Sequence, residues 1–241
     1  MILLFLRLRI LPDKENSFLT FRKNFQVVKN SKLLETEIAH LKSLRIFNQD
    51  KVIEIRDGLG QSVFYKSIAN GKEIELIPGS EKSLEIESSL IISGAIPKGN
   101  RLDWLLQKGT EIGVTEFWFC NFPRSTRMEF SLNRAERIIL EAAVQSKRVS
   151  LPECKIYDNP LSMIKQNHDL EFYFLDPKAK ARLNPIEMKG KIPIIGPEGG
   201  FGELKENFEE MGLKQYKLGQ SVLRIETAFI YLSSVLSLSN Q

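Results

Sequence analysis

The sequence predicts an α/β domain with a largely parallel sheet, preceded by a small β-barrel. Up to about residue 78, short apolar runs are separated by turn residues at close intervals, as in small all-β domains. From residue 79 onward, strand patterns alternate with amphipathic helical patterns, which is typical of a parallel sheet covered by helices. The polar stretch PGSEKS is the best linker, so we predict domains at residues 1–78 and 79–241.

The first domain is predicted from alternation and turn chemistry. Strands are predicted at residues 6–10, 52–56, 62–68 and 72–77. The dipeptides Asp57-Gly58 and Asn70-Gly71 mark turns of the hairpin type between these strands. One helical segment is expected near residues 35–43. This spacing favours a small barrel.

The second domain is predicted as alternating strands and helices. Strands are expected at residues 89–95, 116–122, 171–175 and 192–195. The first helix carries Leu102, Leu105 and Leu106 on one face, and Asn133 is the expected cap of the next, with Glu136 three residues on. Residues 203–211 form a further predicted helix, and the last helix buries a stripe that includes Phe229 and Leu232.

Composition and charge restrict the class of protein. A hydrophobic content of 42% and a charged content of 27% are ordinary for a globular chain. The two cysteines form no C-x-x-C pair and there are only two histidines, so we expect no metal site. No apolar run reaches membrane-spanning length and the N-terminal arginines follow the apolar stretch, so we expect a cytoplasmic enzyme with no membrane partner.

The net charge lies in the first third of the chain. Residues 1–80 hold 13 Lys and Arg against 9 Asp and Glu, which accounts for the whole net charge of +4. A small surplus is often only a solvated surface. Concentrated on one module, it favours an anionic partner such as RNA.

Two glycine-rich turns organise the second domain. The segment IPIIGPEGGFG at residues 192–202 is a strand, a tight turn and a helix start, and residues 218–228 form a similar junction. Glycines in such turns let backbone N–H groups approach a ligand closely. Two turns at the carboxyl edge of one sheet would form a ligand crevice.

Familiar glycine motifs do not explain these turns. No G-x-x-x-x-G-K-S/T is present, the glycines do not follow G-x-G-x-x-G, and Ser221 lacks the second glycine of a nucleophile elbow. On the residues alone, a structural interpretation stays open, in which Gly199, Gly200 and Gly202 only build a tight turn.

A family resemblance adds to this interpretation. The segments IGPEGG, LG and LRIETA at residues 195–200, 218–219 and 223–228 resemble the C-terminal signature of the SPOUT methyltransferases. The most similar family is RsmE, which methylates N3 of a uridine in small-subunit (16S) ribosomal RNA. Residues 107–114, the pair Arg124-Ser125 and residues 141–148 also resemble blocks of that family, so the resemblance covers nearly the whole chain.

The resemblance implies S-adenosylmethionine as cofactor, a C-terminal trefoil knot, a homodimer and a PUA-like RNA-binding barrel at residues 1–78. A narrow slot lined by backbone explains the glycines of the two turns. The implied cofactor-binding residues are Leu175, Ile195, Gly196, Pro197, Glu198, Gly199, Gly200, Leu218, Gly219, Val222, Leu223, Arg224, Thr227 and Ala228. The implied RNA-binding residues are Arg45, Lys108, Arg124 and Arg148. For Lys108, an ordinary ion pair with Glu111 on the helix surface is the alternative.

Four residues are candidates for catalysing methylation at N3. Uridine N3 carries a proton, so the reaction needs a base or a group that stabilises a developing anion. Arg124 and Arg224 are candidates for anion stabilisation. Glu198 and Glu226 are candidates for accepting the proton or orienting an arginine. The alternative is a purely structural role for each, in which its negative charge is stabilised by the N-terminus of a helix.

We therefore predict an S-adenosylmethionine-dependent uridine-N3 methyltransferase of small-subunit ribosomal RNA. One alternative is another SPOUT enzyme that acts on transfer RNA or on a ribose 2′-hydroxyl. A second alternative is a non-catalytic RNA-binding module of the same fold.

Overall fold

The structure is a computed structural model that describes residues 17–43, 51–68, 72–123 and 130–239. The predicted strand at residues 6–10, the Asn70-Gly71 turn, Arg45 and Arg124 lie outside the described residues. The chain divides into two compact units after Ile86, and each is described separately.

The N-terminal unit is a mostly antiparallel sheet with one helix. Its elements are β1 (Ser17–Phe21), β2 (Asn30–Lys32), α1 (Glu35–Ser43), β3 (Val52–Arg56), β4 (Gln61–Ile68), β5 (Glu73–Leu76) and β6 (Lys82–Ser83). The described strands follow the order β1-β3-β4-β5-β2, with β6 on β4, and the β1–β3 pair is parallel. The helix and the strands β3, β4 and β5 lie where alternation and turn residues predicted them.

Long-range contacts hold the N-terminal unit together. Ile55 and Val63 are fully buried in its core, and the Tyr65 hydroxyl donates a hydrogen bond to the Val28 carbonyl at 3.1 Å. Strand β6 pairs with β4, so this unit extends to Ile86, beyond the boundary predicted at residue 78. This pairing was not predicted, because residues 78–83 are polar and a strand of two residues is too short to show the alternation by which strands are recognised.

The C-terminal unit is the predicted parallel α/β structure. Its elements are β7 (Ile91–Ala95), α2 (Asn100–Ile112), β8 (Glu116–Cys120), α3 (Leu132–Gln145), β9 (Glu153–Tyr157), α4 (Pro160–Gln166), β10 (Phe172–Leu175), a 3-10 turn (Pro185–Met188), β11 (Ile192–Ile195), α5 (Leu204–Glu210), β12 (Lys214–Tyr216) and α6 (Ile225–Ser239). The strand order is β12-β10-β11-β7-β8-β9, and every pair is parallel.

This strand order reverses direction between β7 and β11. From β7 the chain builds outward through β8 to β9, and it then crosses to β10 on the other side of β7. Neighbouring strands whose connections leave in opposite directions open a crevice at their carboxyl ends. The topology therefore favours a ligand site beyond the ends of β7 and β11.

Helices cover both faces of this sheet. On one face, α2 approaches Phe117 so closely that a Cβ at Gly109 would lie 2.6 Å from the Phe117 ring, and Phe229 of α6 packs on Phe119 with ring centroids 5.9 Å apart. On the other face, Phe208 of α5 packs on Phe174 at 5.4 Å. Burying each such ring stabilises the fold by roughly 2–3 kcal/mol.

Two predictions about helices had different outcomes. The predicted apolar stripe of α6 is buried, including Phe229 and Leu232. The predicted cap Asn133 is wrong: α3 begins at Leu132 and its cap, two residues before Asn133, is Ser131, whose hydroxyl accepts the Arg134 N–H at 3.3 Å. No described helix is long and apolar enough to cross a membrane.

Candidate active site

A cavity of about 630 Å³ lies at the carboxyl ends of β10, β11 and β12. Three loops line it: the loop after β10, the glycine loop at residues 196–202 after β11, and residues 218–223 before α6. Its volume lies in the range of small-molecule sites. Both glycine turns singled out in the sequence therefore face one space.

Two features determine the conformation of the glycine loop: positive φ angles at two glycines and close packing at a third. Gly200 donates its N–H to the Pro197 carbonyl at 2.9 Å, and Gly200 and Gly202 have φ of +72° and +60°, a region that residues with a Cβ seldom adopt. A Cβ at Gly196 would lie 2.8 Å from the Phe201 ring. Phe201 is in turn wedged against Phe174, with ring centroids 5.3 Å apart. Glycine at these positions therefore shapes one wall of the cavity.

Most of the predicted cofactor-binding residues meet at this cavity. The lining includes Leu175, Ile195, Gly196, Pro197, Glu198, Gly199, Gly200, Leu218, Gly219, Val222, Leu223 and Ala228. Arg224, just before α6, and Thr227, in the first turn of α6, are exposed and are not part of the lining. The structure thus brings together two stretches that are separated by about twenty residues in the chain, and their cofactor role stays a prediction.

The sequence prediction missed an ion pair in the cavity lining. Lys205 on α5 donates a hydrogen bond to Asp176 at 2.7 Å, and the Lys178 N–H donates to the same carboxylate at 2.8 Å. Burial raises the pKa of Asp176, but these hydrogen bonds outweigh burial and the net shift of the pKa is downward. The only indication of this ion pair in the sequence was Lys205 itself, a lysine in the first turn of the helix that follows the glycine loop.

Two candidate catalytic glutamates lie together beside the cavity. Arg101, in the first turn of α2, places its Nη1 atom 3.6 Å from the Glu198 Oε1 atom and 3.7 Å from the Glu226 Oε1 atom. The Glu198 side chain is 50% exposed, whereas that of Glu226 is 10% exposed. Arg101 was not among the predicted site residues, since its partners are distant in sequence.

Arg148 is not available to RNA as predicted. Its side chain is 6% exposed and pairs with Glu87 at 2.9 Å. Its guanidinium also donates hydrogen bonds to the Thr110 and Val114 carbonyls, at 2.7 and 3.1 Å, and to the Ser150 hydroxyl. Arg148 therefore ties α2 to the segment after α3 inside the unit, and the prediction of an RNA contact is corrected on geometric grounds.

Of the other three predicted RNA-binding residues, only Lys108 lies in the described part of the chain. Lys108 is 37% exposed and donates to Glu111 at 2.8 Å, which is the ion pair considered as its alternative role. Arg45 and Arg124 lie outside the described residues. Among the described residues, no group of His, Cys, Asp and Glu is arranged to hold a metal ion.

Comparison with known proteins places the chain in a class. Residues 84–237 match the RNA methyltransferase domain family. The chain is 30% identical over 221 residues to ribosomal RNA small subunit methyltransferase E of Mesomycoplasma hyopneumoniae (strain 232), covering 88% of this chain and 93% of the relative. It is 26% identical over 222 residues to the protein of that name from Bacillus subtilis (strain 168), covering 83% and 87%.

A solved structure gives the same result. The crystal structure of a ribosomal RNA small subunit methyltransferase E from Neisseria gonorrhoeae bound to S-adenosyl methionine matches with a TM-score of 0.78 and 25% identity, and the match covers 92% of this chain and 97% of that chain. The parallel sheet, its glycine-lined cavity and the domain match define an RNA methyltransferase. The chain belongs to the ribosomal RNA small subunit methyltransferase E family.

Proposed function

We propose that this protein transfers a methyl group from S-adenosylmethionine to N3 of a uridine in small-subunit ribosomal RNA. The observation that carries the proposal is the cavity between the two glycine turns, in a chain whose relatives are ribosomal RNA small subunit methyltransferases E. The relative from Neisseria gonorrhoeae holds S-adenosyl methionine. The specificity for uridine N3 follows from the RsmE resemblance of the sequence.

The cavity fits this cofactor. Its volume of about 630 Å³ suits a molecule of nucleoside and amino-acid size. At Gly200 and Gly219, a Cβ would meet no other atom within 4 Å, so the glycines leave open space along the backbone of the cavity wall. When bound, S-adenosylmethionine supplies an electrophilic methyl group. The backbone of the two turns and the apolar side chains of Leu175 and Leu218 would hold it.

Positioning is the main contribution that such a site makes to methyl transfer. Holding a nucleophile and a methyl donor in line replaces a bimolecular encounter with a pre-arranged one, which is worth several kcal/mol of the barrier. A base must also accept the N3 proton. Glu198 and Glu226 lie beside the cavity, so both stay candidates, and Arg124 and Arg224 stay candidates for stabilising the developing anion.

The finer features of the fold belong to this proposal. We propose that the C-terminal unit contains a trefoil knot and that the N-terminal unit is a PUA-like RNA-binding barrel, since the RsmE resemblance implies both. The N-terminal sheet supports the second point, because its exposed basic residues Lys23, Lys29 and Lys32 offer contacts for RNA phosphate.

A homodimer in the cytoplasm completes the proposal. Helix α6 buries one stripe in the core, yet Tyr231 and Leu238 on its other side are 47% and 73% exposed. Val222, just before α6, is 79% exposed. Large apolar side chains exposed on one element favour burial against a second copy.

The direct test is methyl transfer from labelled S-adenosylmethionine to small-subunit particles from a strain that lacks this modification. We expect label in the small-subunit RNA and none in transfer RNA. Label in transfer RNA would favour another RNA methyltransferase. Tight RNA binding with no transfer to any RNA would favour a non-catalytic module.

A further inference from the structure

The cluster of Arg101, Glu198 and Glu226 joins three separate elements around the cavity. Glu198 belongs to the loop after β11, Glu226 to the first turn of α6, and Arg101 to the first turn of α2, the helix that follows β7. Strands β7 and β11 are neighbours at the switch point of the sheet. One guanidinium therefore stands between two carboxylates at the position where this topology opens its crevice.

The two carboxylates differ in exposure. Glu198 is half exposed, so water solvates it and weakens its interaction with Arg101. Glu226 is more than nine-tenths buried, and its Oε1 atom faces Arg101. Its second oxygen, Oε2, is fully covered and accepts no hydrogen bond from any described residue. A buried carboxylate oxygen without a hydrogen-bond donor is energetically unfavourable, so a ligand that supplies a donor would be favoured here.

In Glu226, one carboxylate oxygen interacts with Arg101, and the other is available to accept a hydrogen bond from a substrate. The separations of 3.6 Å to Glu198 and 3.7 Å to Glu226 are longer than a hydrogen bond, so Arg101 attracts both carboxylates by charge without a close hydrogen bond to either. Ile225 and Ala228, on either side of Glu226 in sequence, both line the cavity. Glu226 therefore stands in the first turn of α6 next to two residues of the cavity wall, and its Oε2 atom still lacks a donor among the described residues.

We infer that Glu226 accepts the N3 proton of the substrate uracil and that Arg101 is the positioning residue that holds Glu226 for this step, an assignment that rests on the proposed function. The N3–H bond breaks and its proton passes to Glu226 Oε2. The electron pair left on N3 forms the new bond to the methyl carbon, while the S–CH₃ bond breaks and its electron pair stays on sulfur. Arg101 acts through Glu226 and does not touch the reacting atoms.

The test compares Arg101→Met, Arg101→Lys, Glu226→Gln, Glu198→Gln and the double variant Arg101→Met/Glu226→Gln in the full chain. Methyl transfer to small-subunit particles gives kcat and KM, and calorimetry gives the S-adenosylmethionine affinity. Lys155→Met is the matched control, since Lys155 also lies between two carboxylates, Glu116 and Glu153, but on the edge strand β9.

We expect Glu226→Gln to lower kcat by about 100-fold or more and Arg101→Met by about 10-fold, with KM and cofactor affinity changed less than about threefold. The double variant should be no slower than Glu226→Gln, because the proton acceptor that Arg101 positions is already absent in the single variant. Arg101→Lys should recover part of the rate by keeping the positive charge. Lys155→Met should match the wild type.

Other results overturn the assignment. A kcat for the double variant that equals the product of the single losses would show that Arg101 acts independently of Glu226. A larger loss for Glu198→Gln than for Glu226→Gln would move the proton acceptor to Glu198. If the wild-type protein transfers no methyl group to the particles, the proposed function fails, whereas an active wild type with fully active Arg101→Met defeats this inference alone.

Discussion

Replacing Glu87 by Gln should destabilise the C-terminal unit in a way that depends on pH. Glu87 accepts hydrogen bonds from Arg148 Nε and the Val149 N–H on one oxygen, both at 2.9 Å, and from the Ser150 N–H on the other at 3.0 Å. Burial alone would raise the pKa of Glu87, but these hydrogen bonds and the Arg148 charge outweigh it and lower the pKa from 4.5 to about 2.

The size of the effect follows from this pKa. A change from 4.5 to about 2 is linked to about 3 kcal/mol of stability at 1.36 kcal/mol per pH unit. Because 30% of the Glu87 side chain is exposed, solvent screening reduces this, and we expect about 2 kcal/mol. Since the pKa is lower in the folded state, this stabilisation is fully present above pH 4.5 and is lost as the pH falls towards 2.

The assay is urea unfolding followed by tryptophan fluorescence. Both tryptophans, Trp104 and Trp118, belong to the C-terminal unit, so the signal reports this unit alone. We expect Glu87→Gln to lower the free energy of unfolding by about 2 kcal/mol at pH 7 and by under about 1 kcal/mol at pH 3, where Glu87 is protonated in the unfolded chain but still largely ionised in the folded one. Glu141→Gln, which removes an exposed carboxylate 3.9 Å from Arg137, is the control and should cost under about 0.5 kcal/mol. An equal loss for Glu87→Gln at both pH values would refute this reasoning.

The remaining predictions concern the cofactor, the RNA and the assembly. Gly200→Val should weaken S-adenosylmethionine binding by about 100-fold or more in calorimetry, because it places a branched side chain in the open space beside a backbone with φ of +72°; unchanged affinity would exclude this loop from the site. Changing Lys23, Lys29 and Lys32 to Gln should make RNA affinity depend less on salt. The slope of log affinity against log salt concentration should become shallower by roughly 0.7–0.9 for each phosphate group that is no longer neutralised. Equal slopes for variant and wild type would mean that these lysines are only solvated surface. Sedimentation equilibrium at micromolar concentration should give twice 27.6 kDa, and a fully active monomer would contradict the proposed dimer.

Local patterns in the sequence predicted most of the secondary structure. Alternation over residues 52–56 and helical spacing in α6 are properties of consecutive residues, so they can be recognised in one chain. The glycine turns were also recognisable, because φ of +72° at Gly200 requires a residue type that stands out in the sequence. Strand β9 and helix α4 were not predicted, although Asn159 followed by Pro160 and Ser162 carries the capping box that starts α4.

Tertiary contacts explain what the sequence did not predict. Arg148 lies just after α3 in the chain, but its burial depends on Glu87, which lies 61 residues earlier. Arg101 was not among the predicted site residues, because its position between Glu198 and Glu226 arises only when β7 and β11 pair. Such contacts follow from the strand order, which periodicity along one chain does not encode.

The identity of the methylated nucleoside decides whether this protein is a uridine-N3 methyltransferase. Small-subunit particles that lack the modification would be incubated with the protein and with S-adenosylmethionine carrying a deuterated methyl group, and the RNA would be digested to nucleosides for mass spectrometry. We expect the deuterated methyl group on N3 of uridine, with no labelled product when the cofactor is omitted. A labelled methyl group on a ribose 2′-oxygen, or on any base position other than uridine N3, would contradict this expectation.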